Sequence, residues 1–198
     1  AVIRNGITLK EYILPFSRLD NIIECIIDCP TQELKKNHFT QLKKGIITLN
    51  RNCNLFNFDS LFNTYNLEFN FSNDFKTYSW KKLIESSALG SILCLSGKTS
   101  EIFLDKHILN LFEKITHEGI KVANSDGANI SSNFPLLLLD KIKNFPTKKG
   151  SSMLTDRLKG NPIEINAKNG IISSLGKKYN INTPVNDIIT SLLKHTNT

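Results

Sequence analysis

Residues 78–96, YSWKKLIESSALGSILCLS, form the longest stretch of the chain in which apolar residues recur at helical intervals without interruption. Such a stretch predicts one long helix and commits the chain around it to helical packing. The same periodicity returns at 105–123, 136–143, 153–158, 169–179 and 184–194. The last start is the best marked, with Thr183 as a natural N-cap and Pro184 at the first helical position.

The preceding part reads differently. Residues 21–29 (NIIECIIDC) and 41–49 (QLKKGIITL) are rich in Ile and bounded by Pro30, Lys35-Lys36 and Asn50, which predicts strands. Residues 9–16 and 58–65 suit short helices, and a linker is expected at 70–74, where Ser72-Asn73-Asp74 precedes the long periodic run. A mixed α/β part at 1–72 and an all-α part at 73–198 are therefore expected. The opening Ala1-Val2-Ile3-Arg4-Asn5-Gly6 reads as an apolar strand end running into an Asn-Gly turn, so a longer polypeptide is expected around this chain.

Composition narrows the class. The 198 residues are 40% hydrophobic, enough for one fair-sized core or one domain and part of another. There is no run of about 18 apolar residues and no charged-then-apolar leader, which predicts no membrane span, no signal peptide and a cytoplasmic setting. Cys25, Cys29, Cys53 and Cys94 are too few and too irregular for a secreted disulfide framework, so reduced thiols are expected. Cys25 and Cys29 with His38 offer three metal donors, but no second close pair completes a tetrahedral set, and no metal is expected. The net charge of +7 comes partly from dispersed lysine pairs that do not alternate with aromatics. That pattern suits a solvated surface attracting small anions rather than nucleic acid.

Within the long stretch, Lys81 and Lys82 point apart on a helical wheel. Lys81 falls beside Glu85 on a wet face, whereas Lys82 lies within about 20° of Leu89 and Leu93, next to a strip of small residues, Ser79, Ser86 and Gly90. Such a strip admits a neighbouring helix or a ligand close to the backbone. A half-buried lysine there either snorkels to water or serves as a proton donor whose pKa is lowered by desolvation. A carboxylate would hold it, and Glu164 is the candidate: it stands alone between Ile163 and Ile165, just past the break at Gly160-Asn161-Pro162.

Other motifs are excluded by context. Gly97-Lys98-Thr99 imitates the end of a phosphate-binding loop but follows a helix instead of opening one, and no G-x-G-x-x-G occurs in these residues. His38, His107, His117 and His195 have no recognisable partner spacing.

Several segments together resemble the ketopantoate reductases (2-dehydropantoate 2-reductases). They are Trp80-Lys81-Lys82-Leu83, His117-Glu118-Gly119-Ile120, Ser151 to Asp156, Glu164-Ile165-Asn166, Asn169-Gly170 and Thr183-Pro184-Val185-Asn186, with Asn5-Gly6 and Lys10-Glu11 near the start. The resemblance implies a mainly α fold: a helical domain of the 6-phosphogluconate dehydrogenase C-terminal-like type, preceded by the α/β tail of a Rossmann-type domain. It also implies NADPH-dependent reduction of 2-dehydropantoate to pantoate, on the route to pantothenate and coenzyme A, and it allows a homodimer.

Carried over by position, the resemblance makes Lys82 the general acid and Glu164 its partner, also toward the cofactor. Ser86 and Ser152 would bind substrate, and Asn5 would lie beside the nicotinamide. Ser152 and Glu164 have simpler readings as helix caps. The family's asparagines at the fourth and eighth positions after the lysine are here Ser86 and Gly90. That departure leaves two alternatives: a related reductase of another 2-oxo acid, or a non-catalytic helical assembly or binding domain of the same fold.

Overall fold

The structure is a computed structural model describing residues 2–3, 6–51, 66–145 and 148–196. It divides into two compact units, Ala1–Ser79 and Trp80–Thr198.

The first unit is built on a four-stranded sheet in the order β1 (Val2–Ile3), β2 (Glu24–Asp28), β5 (Gly45–Asn50) and β6 (Leu67–Ser72). The pairings are parallel, antiparallel and parallel in turn. Cys25 stands opposite Leu49 and Ile27 opposite Ile47, so β-branched and aliphatic side chains share one register. Cys25, Ile47 and Leu49 form the core, with Leu67, Phe69 and Phe71 of β6 packed against them. Gly45 is required by close approach, since a Cβ there would lie 2.6 Å from Leu67 Cδ2. Helix α1 (Leu9–Ile13) and a short 3-10 turn at Leu19–Asn21 precede β2.

Several expectations for this unit are corrected, and others lie outside the described residues. Residues 21–29 are strand only over Glu24–Asp28. Residues 41–49 divide between two strands, because Gln41 closes β4 (His38–Gln41), which pairs with β3 (Thr31–Lys35) in a hairpin the sequence reading missed. Lys36-Asn37 makes that turn: Asn37 takes a left-handed φ of 63°, which its short polar side chain tolerates. The linker read at 70–74 is strand as far as Ser72, where Leu67, Phe69 and Phe71 alternate with polar residues as a half-buried strand requires. The helix expected at 58–65 and Cys53 lie outside the described residues.

The long helix is present as α2 (Phe75–Ser96), opened by Asp74 Oδ1 accepting from Thr77 N at 3.0 Å. Gly97, at φ 67°, ends it, so the phosphate-loop mimic is a helix C-terminus. The second unit continues through α3 (Lys106–Ser125), α4 (Phe134–Lys143), α5 (Ser152–Leu158), α6 (Asn169–Lys178) and α7 (Pro184–Lys194). Its core joins Ile92 and Leu93 of α2, Phe112 and Ile115 of α3, and Ile189 and Leu193 of α7. Helices α2 and α3 meet at Gly119, where a Cβ would sit 2.9 Å from Ile84 Cγ1. Asp105 caps α3, accepting from His107 N and Ile108 N, and those bonds hold its carboxyl below the usual range.

Helix α7 is capped differently from the expectation. Thr183 occupies the N-cap position, but its hydroxyl donates to Asp187 Oδ1, and the Glu118 carboxylate accepts from Val185 N and Asn186 N, each at 2.9 Å. Asn186 Nδ2 adds a third bond to Glu118 at 2.7 Å. The pairing expected between Lys81 and Glu85 is also redirected. Glu85 takes Lys141 of α4 at 2.5 Å, while Lys81 lies over the Phe134 ring. Packing of α4 beside α2 makes the interhelical partner available, and half-buried Glu85 gains more from it than from a solvated neighbour.

Among the described residues, no helix is long and apolar enough to cross a membrane.

Candidate functional site

The site is assembled within the second unit, starting from Trp80. Its indole is fully buried and donates from Nε1 to Asp126 Oδ2 at 2.9 Å, while the Tyr179 hydroxyl donates to Asp126 Oδ1. The bond to the Asp126 carboxylate raises the Tyr179 pKa, since the phenol is stabilised as donor. Three elements are thereby pinned together at the start of this part of α2. Lys82, half-buried, follows within the same turn.

Gly90 lies further along the helix. A Cβ built there would be 3.0 Å from Met153 Sδ and 3.8 Å from Lys168 Nζ. The small strip therefore admits both a core side chain of α5 and a lysine ammonium. Ser79 and Ser86 donate to their own helix, at Phe75 O and Leu83 O, so these hydroxyls are engaged in the backbone ladder.

Lys168 is the residue that sequence reasoning missed. It occupies the N-cap position of α6, where a cation opposes the helix dipole, and it is only 8% exposed. Its Nζ donates to Ser152 Oγ at 3.4 Å. Burial pushes its pKa down; the charges of Glu164, Asp156 and Cys94 oppose that shift, and Lys82 reinforces it. No motif or period in the sequence singles it out, because residues 165–168 form a turn ahead of α6 and not a helix.

Ser151 caps α5, its hydroxyl accepting from Leu154 N at 3.1 Å, which leaves the exposed Ser152 hydroxyl to meet Lys168. The capping alternative for Ser152 is thus taken by its neighbour. Glu164 is exposed, while Ile165 beside it is 4% exposed and belongs to the core. Ile165 ties the loop down, and the Glu164 charge acts on Lys168.

Lys82, Ser152, Glu164 and Lys168 therefore share one electrostatic neighbourhood. Ser86 lies on the same helix as Lys82 and Gly90, and Asn5 is outside the described residues. Two ammonium groups, a hydroxyl and a carboxylate can bind an anion and pass a proton to it. The nearby Cys94 thiol is buried, which raises its pKa and makes it a packing residue. Among the described residues, no group of His, Cys, Asp and Glu could hold a metal ion. Cys25 Sγ instead approaches Ile23 O, and His38 contacts Lys36 O.

Comparison with known proteins gives a consistent result. Residues 74–197 match the profile of the family described as ketopantoate reductase PanE/ApbA C terminal. The 2-dehydropantoate 2-reductase of Mycobacterium tuberculosis is 24% identical over 193 residues, covering 98% of this chain and 65% of the relative. The chain thus spans about two thirds of the length of the curated relatives it matches. A dimeric ketopantoate reductase from Staphylococcus aureus has the same fold, with a TM-score of 0.86 at 23% identity, over 99% of this chain and 67% of that one. D-mandelate dehydrogenase with NADH also shares it, with a TM-score of 0.84 at 21% identity, over 99% and 76%.

Proposed function

We propose, from the premise that this chain belongs to the ketopantoate reductase PanE/ApbA C-terminal family, that the full-length protein reduces a 2-oxo acid to a 2-hydroxy acid. The reaction is the NADPH-dependent conversion of ketopantoate to pantoate, leading to pantothenate and coenzyme A. The observation that carries this reading is the gathering of Lys82, Ser152 and Glu164 around one buried ammonium, although they lie far apart in the chain.

The donor set fits a nicotinamide cofactor. Such a cofactor supplies hydride to the carbonyl carbon and needs from the protein a proton donor and an anion holder. Lys82 gives the proton to the carbonyl oxygen, where negative charge builds as the carbon is reduced, so its charge stabilises the transition state more than the ground state. Glu164 orients Lys82 and the bound ligands. Ser152 holds the substrate carboxylate, Ser86 offers a weaker contact, and the family resemblance gives Asn5, outside the described residues, a role toward the nicotinamide. Residues 1–72 complete the nucleotide-binding domain and 73–198 form the substrate domain, in a cytoplasmic protein that pairs with a second copy as the Staphylococcus aureus relative does.

A second reading keeps the reaction but changes the substrate. Ser86 donates to Leu83 O, and Gly90 offers no side chain, so two substrate contacts of the family are altered. The same fold serves D-mandelate dehydrogenase, which supports a different 2-oxo acid.

One kinetic experiment tests both. In the full-length protein, Lys82→Ala should lower turnover about 100-fold or more. Near-normal NADPH oxidation by this variant would remove Lys82 from the role of acid. A tenfold or greater preference in kcat/KM for another 2-oxo acid over ketopantoate would select the second reading.

A further inference from the structure

We infer that Lys168 is a substrate-binding residue of this site, holding the carboxylate of the 2-oxo acid together with Ser152 on the exposed side of Gly90; the inference rests on the reductase reading above.

The geometry is complementary. Helix α2 carries no side chain at position 90, and the Lys168 ammonium ends 3.8 Å from where that side chain would begin. A larger residue at 90 would meet Met153 Sδ at 3.0 Å before it could reach outward. The polar contact that α2 does not provide is therefore available from the loop before α6.

The ammonium is also poorly satisfied. It has three N–H donors, and the hydrogen bond it makes, to Ser152, is 3.4 Å long against a usual value of about 2.9 Å. A lysine this buried is costly unless a partner compensates it. Glu164 and Asp156 ease that cost through their charges, and Lys82 adds to it. A carboxylate would offset both effects, because it gives Lys168 a short charge-assisted bond and places an anion between two cations.

Access and donor chemistry agree with this assignment. Ser152 is exposed, so the ammonium lies one side chain below the surface. Lysine can only donate, so Ser152 Oγ acts as acceptor toward it and keeps its own hydrogen for an incoming carboxylate.

The test is calorimetry on the full-length protein, with and without NADP+, using 2-oxoisovalerate and its methyl ester as probes. They share a ketone and differ in charge. The wild type should bind the acid at least tenfold more tightly than the ester. Lys168→Met and Lys168→Gln should both weaken acid binding at least tenfold and leave the ester unchanged, so the discrimination collapses. The Gln variant keeps an N–H donor toward Ser152 on a side chain one bond shorter and loses the charge, which separates anion binding from a structural bond and replaces the Met variant should that one not fold. Wild-type binding with unchanged acid affinity in Lys168→Gln would overturn this inference and leave the reductase reading standing. Failure of the wild type to bind 2-oxoisovalerate, ketopantoate or any other 2-oxo acid under either condition would overturn both.

Discussion

A buried ammonium at a helix N-terminus is an unfavourable choice on stability alone, and Lys168 combines both conditions. Lys168→Met keeps most of the length of the side chain and removes the charge, so it should stabilise the protein by about 1–2 kcal/mol. The pH dependence has a definite sign. Burial lowers the folded-state pKa below the ordinary lysine value, so between the two values the unfolded chain binds more protons than the folded one. The penalty is present in full below the folded pKa and is relieved as pH rises toward the unfolded one. Denaturant unfolding of wild type and Lys168→Met should therefore show a stability gap that narrows with rising pH; a gap independent of pH would mean that charge is not its source. This residue was illegible in the sequence because burial of a lysine depends on what faces it. Gly90 and Met153 make the place, and nothing in the string Ala167-Lys168-Asn169 announces them. The partial burial of Lys82 was legible because the wheel positions of Leu89 and Leu93 are local.

Elements followed the same division between local and distant information. The helices were readable from apolar period and punctuation, and Pro184 marked the start of α7 to the residue. Its cap was not readable, because the carboxylate that satisfies Val185 N and Asn186 N comes from α3. The β3–β4 hairpin was missed for a related reason: its strands are mostly polar, β4 is mostly exposed, and a Lys-Asn turn is a weaker sign than Asn-Gly. The cap by Glu118 carries a prediction of its own. Glu118→Ala would leave two backbone N–H groups and the buried Asn186 amide short of an acceptor, and should destabilise the protein by about 1–3 kcal/mol. Glu118→Gln keeps one acceptor oxygen and should recover part of that loss. Thermal melts of both variants measure it, and equal stability of Ala and Gln would mean that the hydrogen bonds do not carry the effect.

At the scale of the molecule, the two units divide the work unevenly. The second unit gathers the charged side chains, whereas a dinucleotide pyrophosphate needs successive backbone N–H groups at a glycine-rich turn opening a helix. These 198 residues contain no G-x-G-x-x-G, and the left-handed glycines among the described residues, Gly97, Gly127 and Gly160, belong to separate turns. The 2-oxo acid and the cofactor should therefore depend on different lengths of polypeptide. Calorimetry should give saturable NADPH binding to the full-length protein and a dissociation constant at least about 100-fold weaker for residues 1–198 alone, since the phosphate contacts contribute several charge-assisted hydrogen bonds. Equal affinity of the two would place the nucleotide on residues of this chain and require a cradle other than a glycine-rich turn. The ammonium of Lys168 and the hydroxyl of Ser152 belong to the second unit in either case, so 2-oxoisovalerate should still distinguish Lys168→Gln from wild type in the shorter chain.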